Sequence, residues 1–425
     1  MCLPFRQWSE SVPGCDRPLW LWPKATLCLC VKSGNLDAMK TIYCLLTTLA
    51  LVSPLHAAPG LPTAKPADEK VSSRTLQKGV QLFRDALKRD EIRGVVLLVA
   101  RNGKVILHHP LGWANKRKKL PMTKTTLFRM ASNTKASVAA AVLQLAEQGK
   151  LSLDDPIGKH VPAFRNDKYQ KVKIKHLLSH TSGLRIKTLF LRPLMKASKK
   201  YPEAPTLQLE VNRFAAIAPE KKPGTTYSYN NPGYNTLGAL VEVVSGRPLE
   251  GYLMQSIYEP LGMKDTSNHP VPGKFDRMCV VYARSAKTGK WRVRFRQNSG
   301  MRVPFVRASG GMVSSALDYA RFCQMFLNDG TFAGRRVLSK ESVKQMTSPQ
   351  TRPIYTKAQA KKRKSFYGYG WVVLKDGSFS HSGSEGTYGW IDPNRKLIAL
   401  VLTQSPGGKI PRQQFVRIVK KACRD

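Results

Sequence analysis

The sequence is poor in acidic side chains. Only 27 aspartate and glutamate residues stand against 70 lysine and arginine residues, which gives a formal net charge of +43 over 425 residues. This excess predicts a positive surface potential that attracts polyanions. However, the basic residues are spread along the chain, without zinc-finger spacing, an aromatic RNA-binding motif or a basic heptad region. Nucleic acid is therefore not an expected partner.

Paired cysteines are also lacking. Four of the eight cysteines lie within the first 38 residues, and Cys44 falls in an apolar segment. The remaining three, Cys279, Cys323 and Cys423, are far apart and have no CxxC or histidine partner pattern. We therefore predict no disulfide framework, no metal site and no cofactor. Cys323 lies in the apolar helical stretch YARFCQMFL, which favours a buried thiol acting as a small hydrophobe.

Residues 39–57 have the pattern of a secretory signal peptide. The segment starts at Met39 with a basic residue at Lys40, continues with an apolar run over 42–52 and reaches small residues at Ala57 and Ala58. The apolar run is short for a membrane span. We expect translation from Met39, with residues 1–38 untranslated or non-structural, and a periplasmic or secreted protein without a transmembrane span after cleavage. The alternative is a real N-terminal extension followed by a signal anchor.

Strand-like segments occur at both ends of the remaining chain. GVVLLVA and KVILHHPLGWA are joined by Asn102-Gly103, a pair that predicts a hairpin. An alanine-rich helix follows and ends near Gly149. Near the C-terminus, YGYGWVVL, GSFSHSG, TYGWIDP and KLIALVLTQ are typical of successive antiparallel strands. We predict an α/β fold of the α+β type, with an antiparallel sheet of five or so strands built from both chain ends and flanked by helices.

The predicted domain organisation is a linker over residues 58–71 and one domain over 72–425. The sheet part takes about 72–150 and 305–425, and a mainly helical insert takes about 151–304. Within the insert, residues 184–222 are rich in lysine, arginine and proline, which indicates a surface excursion near a substrate mouth.

Ser132 and Lys135 form the only Ser-x-x-Lys pair of the chain, at the start of its strongest helical segment. Side chains three residues apart at a helix start lie on one face, so the amine can approach the hydroxyl. The N-terminal end of a helix also favours developing negative charge.

Two further elements carry polar groups in exposed contexts. Tyr229 and Asn231 lie in a Gly/Pro/Asn-rich loop before an apolar helix, where they could also be a packed aromatic residue and a helix cap. His381-Ser382-Gly383 lies in a β-rich run, in which a lone histidine is more often structural. Gly383 lacks a side chain and would let a ligand approach the strand backbone.

In this order, and with their flanks, the three elements resemble the serine β-lactamase and D-alanyl-D-alanine carboxypeptidase superfamily, specifically its class C-like branch, which includes esterases. The segments IKHLLSHTSGL, SGGMVSSALDYARF, YGYGW and HSGSEGTYGW also look like family segments. The resemblance covers most of the chain after residue 72. It implies a β-lactamase/transpeptidase-like fold with an active site between the sheet and the helical insert.

The resemblance also implies roles for individual residues. A serine hydroxyl is a weak nucleophile unless a neighbouring group accepts its proton. Lys135 and Tyr229 are best treated as one coupled unit, and which of them is the base stays open. The implied roles are Ser132 as nucleophile, Lys135 and Tyr229 as its activators, Asn231, His381 and Gly383 in substrate binding, and the backbone N–H groups of Ser132 and Ser384 as the oxyanion hole.

The third element departs from the Lys-Thr-Gly that is usual in class C β-lactamases. Histidine is mostly neutral at pH 7 and binds a substrate carboxylate less strongly than lysine does, which favours neutral esters or amides. The leading hypothesis is an exported serine hydrolase that cleaves an ester, amide or peptide bond of a small-molecule or peptide substrate. The alternatives are a true class C β-lactamase or D-alanyl-D-alanine carboxypeptidase, and a non-catalytic protein that binds an anionic cell-envelope polymer.

Overall fold

The computed structural model describes residues 60–184, 206–300 and 304–423. The predicted extension over 1–38, the predicted signal peptide over 39–57 and residues 185–205 of the predicted surface excursion lie outside the described residues. Among the helices of the described ranges, none is both long enough and apolar enough to cross a membrane.

The main sheet has eight antiparallel strands, which come from both ends of the described chain. In order across the sheet they are β10 Ser365–Tyr367, β11 Val372–Leu374, β12 Phe379–Ser382, β13 Tyr388–Asp392, β14 Leu397–Thr403, β1 Gly94–Arg101, β2 Lys104–Asn115 and β3 Leu120–Pro121. The predicted antiparallel sheet built from both chain ends is confirmed, but five strands is too low a number. The two edge strands contain only two and three residues, too few for an alternating pattern to show in the sequence.

Three two-stranded pairs accompany the main sheet in the described residues. One of them, β5-β6, lies inside the region predicted as a mainly helical insert. The paired strands are β4 Phe128–Arg129 with β7 Val313–Ser314, β5 Val281–Arg284 with β6 Trp291–Phe295, and β8 Thr331–Phe332 with β9 Arg335–Arg336.

The predicted hairpin between β1 and β2 is confirmed. Asn102 and Gly103 have φ values of 51° and 79°, both in the left-handed region. Glycine and asparagine adopt this conformation at low cost, and two such residues in succession match the twist of antiparallel strands.

The two faces of the sheet cover two hydrophobic cores, because successive strand residues point to opposite sides. On β1, Val95 and Leu97 pack with the first and last described helices, whereas Val96 and Leu98 belong to the larger core. The larger core also contains Cys323, which is a buried free cysteine as predicted.

The first and last described α-helices contribute to the smaller core, and nearly all the others contribute to the larger core. The alanine-rich helix ends at Glu147, close to the predicted end near Gly149. In the described ranges the α-helices are α1 Ser73–Lys88, α2 Thr134–Glu147, α3 Ile157–His160, α4 Ile174–Leu178, α5 Leu207–Phe214, α6 Asn231–Ser245, α7 Leu249–Leu253, α8 Ala316–Leu327, α9 Lys340–Thr347, α10 Lys357–Lys362 and α11 Arg412–Ala422.

The described part of the predicted linker is attached to the sheet. The N–H of Val105 donates to the carbonyl of Pro62 at 2.7 Å, and the N–H of Ala64 donates to the carbonyl of Val105 at 3.0 Å. Leu61 is buried, and a short 3-10 helix spans Pro66–Glu69. From residue 60 onward, this stretch therefore differs from a flexible linker, because apolar burial and backbone hydrogen bonds hold it against β2.

Candidate active site

Ser132 lies in the single 3-10 turn Ala131–Asn133, immediately before α2. Ala131 has a φ of 47°, a left-handed conformation that is strained for a residue with a Cβ. Asn133 fixes this turn, because its amide donates to the carbonyl of Met130 at 2.9 Å and to the hydroxyl of Thr387 at 2.8 Å. The turn therefore presents Ser132 in a defined position.

Lys135 is completely buried and its amine points at three oxygen atoms. Nζ lies 3.2 Å from Oγ of Ser132, 2.8 Å from Oδ1 of Asn231 and 2.7 Å from the carbonyl oxygen of Ser309. Burial holds the pKa of Lys135 well below its usual range, and the positive charge of Arg307 lowers it further. A neutral amine beside a serine hydroxyl can accept the hydroxyl proton.

Tyr229 covers the amine from the pocket side, with its ring centroid 4.8 Å from Nζ of Lys135. Although 42% of the tyrosine is exposed, desolvation raises its pKa to about 12, while a hydrogen bond with Ser132 acts in the opposite direction. Tyr229 is therefore a phenol at neutral pH. Of the two activators, Lys135 is favoured as the proton acceptor and Tyr229 as a hydrogen-bond donor.

His180 lies behind Tyr229, with 4.4 Å between the two ring centroids. Its Nδ1 accepts a hydrogen bond from the N–H of Asn230 at 3.3 Å, and burial holds its pKa well below the usual range. The ring also lies 4.7 Å from that of Tyr367. No role was predicted for His180, although it falls in the family-like segment IKHLLSHTSGL.

Asn231 is the first residue of α6, and its side chain contacts Lys135. The interpretation of Asn231 as the helix cap is wrong, since Oδ1 of the preceding Asn230 accepts from the N–H of Gly233 at 2.8 Å. Because Asn230 caps the helix, the side chain of Asn231 can reach the amine.

His381 does not serve as a substrate-facing cation. It is 3% exposed, and it is not among the residues that line the cavity at Ser132. Its Nδ1–H donates to the carbonyl of Ser382 at 3.0 Å, so Nε2 accepts from the hydroxyl of Tyr367 at 3.2 Å. Burial, aided by Lys135, lowers the pKa of His381 to about 3. The predicted substrate contact is thus replaced by a neutral, structural imidazole.

Gly383 has a packing role that the sequence did not indicate. A Cβ atom at this position would lie 2.3 Å from Oγ1 of Thr387 and 2.4 Å from the carbonyl oxygen of Met130. The glycine therefore allows the end of β12 to pack against the turn that carries Ser132, and its role in substrate binding stays a prediction. The next residue, Ser384, lines the cavity together with Ser132, as an oxyanion-hole residue must.

The cavity at Ser132 has a volume of about 400 Å³ and is lined by Arg129, Arg294, Arg307 and Glu385, among others. Arg294 lies 3.6 Å from the carboxylate of Glu385. No role was predicted for any of these four residues. Glu385 lies in the family-like segment HSGSEGTYGW, whereas the three arginines lie outside the segments that carry the resemblance. Three arginines thus line the cavity at Ser132, whereas the side chain of His381 does not.

Ser132, Lys135, Tyr229 and Asn231 thus come together at one end of α2, next to Ser384. The arrangement pairs a hydroxyl with a buried amine and opens onto a cavity that can hold a small substrate. Within residues 60–184, 206–300 and 304–423, no group of three histidine, cysteine, aspartate or glutamate residues could hold a metal ion.

Residues 80–421 match the protein family described as Beta-lactamase. Protein Rv1367c of Mycobacterium tuberculosis is 29% identical over 352 residues, a match that covers 74% of this chain and 86% of the relative. N-acetylmuramyl-L-alanine amidase of Bacillus subtilis is 27% identical over 344 residues and is matched over 73% of this chain and 76% of its own length. Among solved structures, EstCE1, a hydrolase with promiscuous acyltransferase activity, has a similar fold, with a TM-score of 0.68, 23% identity and coverage of 82% of this chain and 98% of its own.

Proposed function

The chain belongs to the Beta-lactamase family and is a serine hydrolase, and on this premise we propose that it cleaves an ester, amide or peptide bond through an acyl intermediate on Ser132. The observation that carries the proposal is the 3.2 Å approach of the buried Lys135 amine to Oγ of Ser132. A lysine in this setting serves as a base because its neutral form is favoured. The amidase and acyltransferase names of the relatives support acyl transfer as the reaction class.

In the first step, neutral Lys135 accepts the Ser132 proton while Oγ bonds to the substrate carbonyl carbon. The oxyanion that forms is stabilised by the backbone N–H groups of Ser132 and Ser384. When the bond to the leaving group breaks, that group takes the proton from Lys135, either directly or through the hydroxyl of Tyr229. Water then attacks the acyl carbon and transfers a proton to the neutral Lys135 amine. The bond between the acyl carbon and Oγ breaks, Oγ takes the proton back from Lys135, and the acid leaves.

A second candidate is a β-lactamase or a D-alanyl-D-alanine carboxypeptidase. The arginines of the cavity support it, because both reactions use substrates with a carboxylate, and guanidinium groups bind carboxylates well. In the sequence, the neutral His381 disfavours substrates with a carboxylate. In the structure, Arg294 and Arg307 line the cavity and can supply the positive charge that the histidine lacks.

An activity panel on the wild type and Ser132→Ala separates these candidates. The expected result is turnover of short-chain p-nitrophenyl esters by the wild type and a loss of at least about a thousandfold in kcat in the variant, because the acyl acceptor is gone. Faster consumption of nitrocefin or of a D-Ala-D-Ala peptide than of the esters would support the second candidate. If Ser132→Ala lowers the turnover of none of these substrates, the proposed acyl intermediate is wrong and a binding-only protein is favoured.

We also propose that the protein is exported to the periplasm or the medium. The support is the signal-peptide pattern of residues 39–57, which lie outside the described residues. Expression of the full gene in a bacterial host with a Sec pathway, followed by N-terminal sequencing of the processed protein, is expected to give a start near Ala58. An unprocessed N-terminus on a protein retained in the cytoplasm would contradict export.

A further inference from the structure

A chain of hydrogen bonds leads from Lys135 to a buried carboxyl group. The carbonyl of Ser309 accepts a hydrogen bond from Lys135. The N–H of the same residue donates to Oδ1 of Asn235 at 3.0 Å. Nδ2 of Asn235 in turn donates to Oε2 of Glu210 at 2.8 Å. Lys135, Asn235 and Glu210 have no exposed surface, and Ser309 is 1% exposed. The contacts thus form one buried relay from the amine to Glu210 on α5.

The carboxyl group of Glu210 is unusual because it is buried and, within the described part of the chain, has no basic side chain in hydrogen-bond contact. Its second oxygen, Oε1, has no hydrogen-bond partner among the residues that the structure describes. Burial raises the pKa of Glu210 to about 7, against the lowering effects of Asn235 and of the charge of Arg307. A buried carboxyl group costs folding free energy unless its interactions offset the loss of hydration. Such a group is most readily explained if it serves the active site.

The relay orients the amide of Asn235. The backbone N–H of Ser309 can only donate a hydrogen bond, so it takes Oδ1 of Asn235 and leaves the NH2 group of the amide for Oε2 of Glu210. Four residues earlier on α6, and so on the same helix face, Asn231 accepts from Lys135 directly. One helix therefore supports the amine twice, once through Asn231 and once through the backbone of Ser309.

The segment that carries the Ser309 carbonyl is held at both ends. Asn235 fixes the N–H of Ser309, and three residues later the N–H of Met312 donates to Oγ1 of Thr134 at 3.0 Å. Thr134 is the neighbour of Lys135 in α2. If the contact to Asn235 were lost, the N–H of Ser309 would lose its partner, and the Ser309 carbonyl could turn away from Nζ.

We propose that Glu210 and Asn235 are positioning residues that fix the Ser309 carbonyl and so hold the Lys135 amine on Ser132. This inference rests on the proposed acyl transfer at Ser132. Glu210 touches neither substrate nor Ser132, and it acts only through Asn235. Among the charged groups, Arg307 affects the pKa of Lys135 and the pKa of Glu210, the two ends of the relay. On α6, the group that contacts Glu210 is the uncharged amide of Asn235.

The test compares Asn235→Leu and Glu210→Gln with Thr236→Val as a matched control. Thr236 is the next residue on α6, is equally buried and makes a hydrogen bond to Pro232 at 3.0 Å outside the relay. Asn235→Leu is expected to lower kcat by about tenfold to a hundredfold with little change in KM, because a misplaced base slows the chemical step. Glu210→Gln keeps an acceptor for Asn235 and should lose less in kcat.

A second measurement on Glu210→Gln is the pH profile of kcat/KM, which a merely structural role of Glu210 would leave unchanged. Arg307 lowers the pKa of Lys135 and also acts on Glu210. Removal of the negative charge of ionised Glu210 leaves this positive charge less compensated, so the acidic limb of the kcat/KM profile is expected to shift to lower pH. The Thr236→Val profile should coincide with that of the wild type. If both relay variants are folded by thermal melting and match Thr236→Val in kcat and in pH profile, the relay has no positioning role.

Labelling of Ser132 with a fluorophosphonate separates this inference from the proposed function. Wild-type protein that is not labelled at Ser132 would contradict the activated nucleophile itself. Labelling of the wild type, with slower labelling of Asn235→Leu than of Thr236→Val, supports the relay. Equal labelling rates in all the folded variants would overturn the relay and leave the proposed function intact.

Discussion

Replacing Lys135 by methionine is expected to lower kcat for ester cleavage by about a thousandfold, with KM changed only a few-fold, because a general base contributes mainly to the chemical step. Methionine fills a similar volume but cannot accept a proton. Of the two groups beside Ser132, the buried Lys135 amine is the better proton acceptor at neutral pH. Its pKa is lowered, which favours the neutral amine, whereas the pKa of Tyr229 is raised to about 12, which keeps the phenol protonated. Steady-state kinetics on a p-nitrophenyl ester measure the effect.

The control for this prediction is Lys150→Met, an equivalent change at an exposed lysine just beyond α2. It should behave like the wild type. Tyr229→Phe is expected to lose less activity than Lys135→Met, because the phenol donates a hydrogen bond and passes a proton on but does not begin the reaction. A larger loss in Tyr229→Phe than in Lys135→Met would mean that the tyrosine is the base.

Gly383→Ala is expected to reduce both stability and activity. The added methyl group would lie within 2.4 Å of the Met130 carbonyl and of the Thr387 hydroxyl, closer than van der Waals contact allows. Relief requires a shift of backbone, and overpacking of this kind costs about 1–3 kcal/mol. The displaced turn carries Ser132, so kcat should fall by about a hundredfold as the nucleophile leaves its position.

Thermal melting and ester kinetics of purified Gly383→Ala check this result. Gly251→Ala is the matched control, since Gly251 lies in α7 and a Cβ there meets no atom within 4 Å. That variant should be as stable as the wild type or slightly more stable, because alanine favours the helix. If Gly383→Ala has the melting temperature and the kcat of the wild type, the turn accommodates the methyl group and the prediction is wrong.

The parts of the site that could be predicted from the sequence depend on local geometry. Ser132 and Lys135 are three residues apart at a helix start, and this spacing alone brings the amine to the hydroxyl. The β1–β2 hairpin was predictable for the same reason, because Asn102 and Gly103 carry the turn preference themselves.

The parts that could not be predicted depend on contacts between distant segments. Ser309 supplies a backbone carbonyl to Lys135, an interaction that no side-chain pattern records. Glu210 and Arg307 reach the amine only through the packing of α5 and the 304–309 segment on the rest of the fold. His381 occupies a family-like position, but its burial against Tyr367 sets its protonation state, and burial cannot be read from the triplet itself.

The position of β1 in the interior of the sheet affects the order in which the strands pair during biosynthesis. β1 pairs along its length with β14, so that Val95 lies opposite Thr403, some three hundred residues later in the chain. Closing so large a loop is slow, and the contact cannot form until the ribosome has synthesised β14. A nascent chain already contains Ser132 and Lys135 while one edge of β1 is still open. The sheet beside Ser132 is therefore completed only with β14, and until then the unpaired edge of β1 can pair with other chains.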